Sequence, residues 1–277
     1  MKKNTLLKSA SCRDPSDPFI FTKKTVWMQR IADQVRAGSG HYISGKTDLK
    51  KITQLVCKFA ERYVLNAPRS TMTLRRKQGQ TTAKWLGWYN PADGLVHWFL
   101  LAHLSSPDGE KWRDPTADRL KVPGGYELVR RTRIGASAPA WTWKYTREQY
   151  QHLRDQMIEL VRLRHDAILK QWIFTTHRTP GFAGSREQVK QLWKLLRAEW
   201  KRSRSKSELM PEIPKNIGYV RRLPDVGLLW SDLCINLSQT EKSKGENDGE
   251  STQTAVRKAR KNSILVPASD SSAVEEA

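Results

Sequence analysis

Apolar side chains at Val26, Trp27, Ile31 and Val35 recur at the spacing of one helix face until Gly38-Ser39-Gly40 ends the pattern. The stripe resumes at Leu49, Ile52, Val56, Phe59 and Tyr63, with Thr47-Asp48 as the predicted N-cap, so this region predicts two helices joined by a glycine-rich turn. Residues 68–80, PRSTMTLRRKQGQ, carry no stripe and read as a basic linker. Beyond them the period shortens to two and the content becomes aromatic and β-branched, which predicts strands. Segments 85–89 and 95–104 flank Asn90-Pro91-Ala92-Asp93-Gly94, whose Pro and Asp-Gly suit a hairpin loop. A second pair, 125–132 and 140–145, is joined by 133–139, giving four predicted antiparallel strands.

The helical period returns at Thr146, a predicted N-cap, and runs through Tyr150, Leu153, Met157, Leu160/Val161, Ile168 and Trp172, about seven turns in all. Pro180-Gly181 ends it. Ser185 opens a last helix, with Val189, Leu192, Trp193, Leu196 and Trp200 on one face and Lys190, Lys194, Arg197, Lys201 and Arg204 around the rest. The fold class predicted is α+β: an N-terminal helix pair, a four-stranded antiparallel sheet, two long C-terminal helices and a disordered tail. In residue terms this is a flexible arm (1–24), an α+β core domain (25–175), a basic amphipathic helix (184–204), a proline-punctuated arm (205–237) and a tail (238–277) whose Ser, Glu, Lys, Asn and Gln content predicts disorder. Neither an internal repeat nor a coiled-coil heptad is present.

Charge changes the picture more than composition does. Forty-nine Lys and Arg against twenty-eight Asp and Glu leave a net charge of +21, and the mean hydropathy is -0.67. An excess of that size repels itself unless it meets a polyanion, and nucleic acid is the commonest one inside cells. A membrane partner would need an amphipathic anchor or an apolar span, and the sequence predicts neither. Cys12, Cys57 and Cys234 are far apart and form no C-x-x-C pair, which fits a reducing cytoplasm.

Within the last helix, Lys190, Lys194, Arg197 and Lys201 share one face, and Arg202 lies beside them. Such a row suits a run of phosphates, and these five residues are the predicted nucleic-acid contacts. Arg130, Arg131 and Arg133, at the end of the third predicted strand, form a second set, and Arg69, Arg75, Arg76 and Lys77 a further basic cluster. Eleven tryptophans are many for this length. Spacing by two puts Trp141 and Trp143 on one face of a strand, where with Trp88 they either stack unpaired bases or fill the core of a small sheet; their exposure decides.

No catalytic residue is assigned. His97 and His103 share a strand face but lie about 20 Å apart by strand rise, too far to hold one metal. Asp108, Glu110, Asp114 and Asp118 form the one acidic concentration, and Pro115 argues against the regular helix that would align them. A phosphate-binding G-x-x-x-x-G-K-[ST] loop is absent, and no cofactor or metal is predicted.

Five segments, RAGSGHYISG (36–45), KFAERY (58–63), HWFLL (97–101), GYELVRRTR (125–133) and PAWTWKYT (139–146), make residues 31 to about 166 resemble a group of poorly characterised proteins encoded on bacterial plasmids and integrative conjugative elements. The resemblance implies a role in replication, maintenance or conjugal transfer of a mobile element, and it carries no catalytic residue. Its reach stops short of the basic helix, where the charge pattern stands alone. The expectation is a non-catalytic, cytoplasmic DNA-binding protein. Three alternatives stay open: an RNA or single-strand binder using Trp88, Trp141 and Trp143; a metal-dependent nuclease using Asp108, Glu110 and Asp114; and a regulator of a replication or transfer complex acting through a protein partner.

Overall fold

The computed structural model describes residues 14–65, 67–103, 110–132 and 137–239. In chain order the elements are β1 (Phe19–Phe21), α1 (Lys24–Arg36), β2 (His41–Asp48), a short 3-10 turn (Leu49–Lys51), α2 (Ile52–Arg62), α3 (Arg69–Lys77), β3 (Thr82–Asn90), β4 (Leu95–His103), β5 (Lys121–Val122), β6 (Tyr126–Thr132), β7 (Pro139–Tyr145), α4 (Arg147–Arg162), α5 (Asp166–His177), α6 (Ala183–Ser203) and β8 (Gly227–Leu229). The protein is α+β, with a mixed five-stranded sheet in the order β2-β4-β3-β1-β8 and a separate three-stranded sheet, β5-β6-β7.

The α1 helix joins the two sheets. Its Val26, Trp27, Met28, Ile31, Ala32 and Val35 are buried, and so is the polar Gln29, so other elements cover more than one side of the helix. On one side Trp27 stacks on Trp88 of β3 at 5.5 Å and donates to the Leu86 carbonyl at 3.0 Å. On the other, Trp143 of β7 donates to the Met28 carbonyl at 2.9 Å. Lys24, in the first turn of α1, lies 5.1 Å above the Tyr126 ring and 5.7 Å from that of Trp88, and burial pulls its pKa down to about 8.

On the opposite face of the large sheet, Phe59 of α2 packs 5.5 Å from Trp98 of β4. Trp98 is paired across the ladder with Gly45 on one side and Gly87 on the other. A Cβ at Gly45 would stand 2.6 Å from the Trp98 ring, so glycine is what lets the indole lie flat on the sheet. Gly45→Ala is expected to cost about 1–3 kcal/mol through overpacking, read as a lower urea midpoint at unchanged slope.

Several predicted elements differ. The two N-terminal helices are separated by β2, which pairs with β4 along its whole length. β2 is an edge strand with mostly half-exposed side chains, so its sequence carries little alternation. Asp48 makes no side-chain cap. Residues 69–77 of the supposed linker form α3, a helix without an apolar stripe in which Met72 is the buried hydrophobe. The strands form two sheets and include β1, parallel to β3, and β8, antiparallel to β1. Each of those two has three residues, too few to show a period.

The seven-turn helix is two helices. Arg164 takes φ 60, the His165 amide donates to the Leu160 carbonyl at 3.1 Å and the Arg164 amide to that of Val161 at 3.4 Å. This is a Schellman stop in which an arginine stands where glycine is usual, so nothing in the sequence announced it. Past the stop the buried face moves to Leu169, Trp172, Ile173 and Thr176, and Ile168 points outward.

Much of the proline-punctuated arm packs down. Ile213 and Ile217 are buried, Val220 bonds to the Gly181 carbonyl, and the Arg221 and Leu223 carbonyls accept from Gln29 and Arg30 of α1. Asp225 pairs with Arg30 before the chain enters β8. Residues 231–239 begin a second unit and are helical, with Ser238 donating to the Ile235 carbonyl. The predicted tail lies outside the described residues from 240 onward.

Candidate nucleic-acid interface

The amphipathic pattern that predicted α6 also explains why the helix is held firmly. Val189, Leu192, Trp193, Leu196 and Trp200 are buried. Polar anchors add direction: Gln188 accepts from the Tyr145 amide at 2.6 Å and donates to the Tyr145 carbonyl at 3.1 Å, gripping β7 like an extra strand residue. The Trp193 indole donates to Thr176 at 3.2 Å, and Gly184 donates to Thr142 at 3.1 Å.

The opposite face carries Lys190, Lys194, Arg197 and Lys201, all exposed, and none has an ion pair among the described residues. From first to last they cover about 16 Å at the α-helical rise. Like charges three and four residues apart destabilise a helix by about 0.2–0.5 kcal/mol per pair, and this row contains three such pairs in succession. An anion laid along the row removes that cost. After Gln239 the chain has six basic and seven acidic residues, so the excess of positive charge belongs to the part before it.

Arg202 differs from the other four. It pairs with Glu199, whose side chain is 3% exposed and also pairs with Arg162 at 2.7 Å. Glu199 lies on the apolar face between Leu196 and Trp200, so both arginines neutralise a carboxylate that would otherwise be buried alone. Arg202 therefore supports the helix, and the triad it forms with Glu199 and Arg162 keeps one net positive charge.

Arg131 is also engaged, in a two-pronged pair with Glu187 at 2.5 and 2.6 Å that fastens β6 to the first turns of α6. Arg130 is exposed opposite Trp141, and Arg133 lies outside the described residues. Of the linker cluster, Arg76 bonds to Thr82 and the Ala37 carbonyl, while Lys77 is exposed.

The tryptophans answer the exposure question. Trp143 is 0% and Trp88 6% exposed, so both are core and neither offers a face to a base. Trp141 is half-buried and lines a cleft of about 260 Å³ beside Arg36 and Arg222, and both of those cations pair with Asp33. The acidic segment is likewise committed to local structure: Glu110 pairs with Arg62 at 2.5 Å, Asp114 caps Thr116 at 2.7 Å, and Asp118 lies 3.5 Å from Arg113. Asp108 lies outside the described residues. Among the described residues no three His, Cys, Asp or Glu side chains converge, and no helix is long and apolar enough to cross a membrane. His97 is bonded to Asp93 at 2.7 Å at one end of β4, and His103 meets the Gly38 carbonyl at the other.

Compared with protein-family models, with curated proteins and with solved structures, the chain matches none.

One feature went unread in the sequence. Beyond the last turn of α6 the chain folds back so that Lys206, Glu208 and Met210 face Arg197, Trp200 and Lys201 across a cleft of about 530 Å³. Only the return path of residues 205–210 creates it, and no periodicity encodes that path.

Proposed function

We propose that this chain binds nucleic acid without catalysis, with duplex DNA as its first ligand, through the phosphate-tracking face of α6, and that it serves replication, maintenance or transfer of a bacterial mobile element. The observation that carries the reading is the uncompensated row Lys190, Lys194, Arg197 and Lys201, set on a helix whose other side is fully packed. A rigid support matters because the ordering cost of four long side chains is then met by a scaffold that does not itself have to fold on binding. Arg130 and Lys77 are secondary candidates on charge and exposure alone. The mobile-element part rests on the resemblance over residues 31–166.

The test is a titration of the full chain against blunt duplex DNA, single-stranded DNA and RNA over a series of salt concentrations. Four phosphate contacts predict that log K falls with log salt at a slope near ~−3.6 on duplex DNA, from about 0.9 per contact. Absence of binding to all three at low salt would sink the reading, and the charge would then have to face an acidic protein.

A further inference from the structure

Packing explains little of α3. Of its described side chains Met72 alone is buried, and its nine residues fall short of the ~12–15 that a helix needs to hold itself in water. Ser70, Thr71 and Thr73 are weaker helix formers than leucine or arginine, and the first turn has no acidic residue to favour the helix dipole. Two hydrogen bonds from Arg76, to the Thr82 hydroxyl and to the Ala37 carbonyl, both at 3.2 Å, fasten the last turn to β3 and to the end of α1.

Helical spacing gathers Ser70, Thr71, Leu74, Lys77 and the cap residue Gln78 on the face turned away from Met72, and all five are exposed, Leu74 at 57%. A lone exposed leucine is ordinary. Here it stands among hydroxyls, an amide and an ammonium group, on a face without a carboxylate. From residue 62 to residue 92 the chain has six Lys and Arg and no Asp or Glu; of the six, Arg62 is paired with Glu110. Such a stretch draws a polyanion and holds nothing that repels one.

The kinds of side chain on that face narrow the polyanion to duplex DNA. Its major groove, about 12 Å wide, admits one α-helix, and its base edges are read by glutamine at adenine, lysine at guanine, serine or threonine at several bases, and an apolar contact at the thymine methyl group. At the helical rise α3 is about 13 Å long, which matches about four base pairs. A short path also joins it to the α6 row: Arg76 reaches Ala37, and the neighbouring Arg36 reaches the carbonyl of Trp141 in β7, the strand gripped by α6.

We propose that α3 enters the major groove and reads about four base pairs, with Leu74, Lys77 and Gln78 on base edges and Ser70 and Thr71 beside them. This rests on the α6 reading and deepens it: the row holds phosphates whatever the sequence, and α3 supplies the sequence preference.

The experiment enriches a pool of random-sequence duplexes on the full wild-type chain and compares the enriched duplex with a scrambled one of equal composition at one salt concentration. The wild type is expected to bind the enriched duplex on the order of tenfold more tightly. Leu74→Ala with Gln78→Ala is expected to equalise the two duplexes while affinity for the scrambled one, its salt slope and the melting temperature stay in place, because both side chains are exposed and uncharged. Lys190→Glu with Lys194→Glu is expected to weaken both duplexes alike and keep their ratio. A wild type that enriches no sequence, or a ratio that survives the α3 substitutions, overturns the reading of α3, turns its exposed face toward a protein partner and leaves the α6 row intact. Failure of the wild type to bind any duplex overturns the row and the α3 reading together.

Discussion

Trp143→Ala is expected to lower the unfolding free energy by about 3–5 kcal/mol. The indole is 0% exposed and stands between β7 and α1, where its N–H reaches the Met28 carbonyl at 2.9 Å. Truncation leaves a cavity at the junction of the two sheets, and the surrounding backbone is fixed by the β6–β7 ladder and cannot close over it. Against a typical domain stability of ~5–15 kcal/mol, the loss moves the urea midpoint by a large fraction of its value. Trp143→Phe keeps most of the apolar area and gives up the hydrogen bond, so about half of the stability is expected to return. Trp141→Ala, two residues away on the same strand and half-buried, is expected to cost about 1 kcal/mol or less, because much of its surface is already in water. If Trp143→Ala left the midpoint in place and instead weakened binding to single strands, the indole would be a stacking surface and its place in the core would be wrong.

That contrast shows how far the sequence could be read. Spacing by two put Trp141 and Trp143 on the same side of one strand, but alternation states only that they share a face and not whether the face meets α1 or water. The first hairpin was legible because the Pro91 and Asp93-Gly94 turn chemistry is local, and α6 was legible because twenty-one residues hold one phase. Strands β1 and β8 were not, since pairing over three residues is fixed by partners far along the chain: Ile20 lies between Gly87 and Leu228. Helical periodicity alone was enough to place Lys190, Lys194, Arg197 and Lys201 together on the exposed side of α6. The pairing of Arg202 with Glu199 went unread, although a signal was present: Glu199 falls beside the apolar stripe, and a carboxylate on a buried face demands cations nearby. Arg131 carried no such signal, because its partner Glu187 is fifty-six residues away and on an exposed turn.

Reversing two charges of the row, Lys190→Glu with Lys194→Glu, is expected to weaken duplex binding on the order of a hundredfold at moderate salt and to flatten the salt slope by about 1.8, the share of two phosphate contacts. The size follows from losing two attractions and adding two repulsions next to Arg197 and Lys201, which stay in place. Folding is not a confounder. Both side chains are exposed and have no ion pair among the described residues, and the change leaves two like-charge pairs along the row where there were three, with position 194 and Arg197 becoming an opposite-charge pair three residues apart. The double variant is therefore expected to melt at or slightly above the wild-type temperature, which separates lost binding from lost structure. Lys190→Gln with Lys194→Gln removes attraction without adding repulsion and is expected to flatten the slope by the same amount with a smaller loss of affinity. Arg202→Gln is the internal contrast: its guanidinium is drawn to Glu199 and away from the row, so it is expected to leave the salt slope unchanged and to appear only as a modest loss of stability. A slope that is unmoved by the double reversal but falls with Arg202→Gln would place the phosphate contacts on another face of the helix.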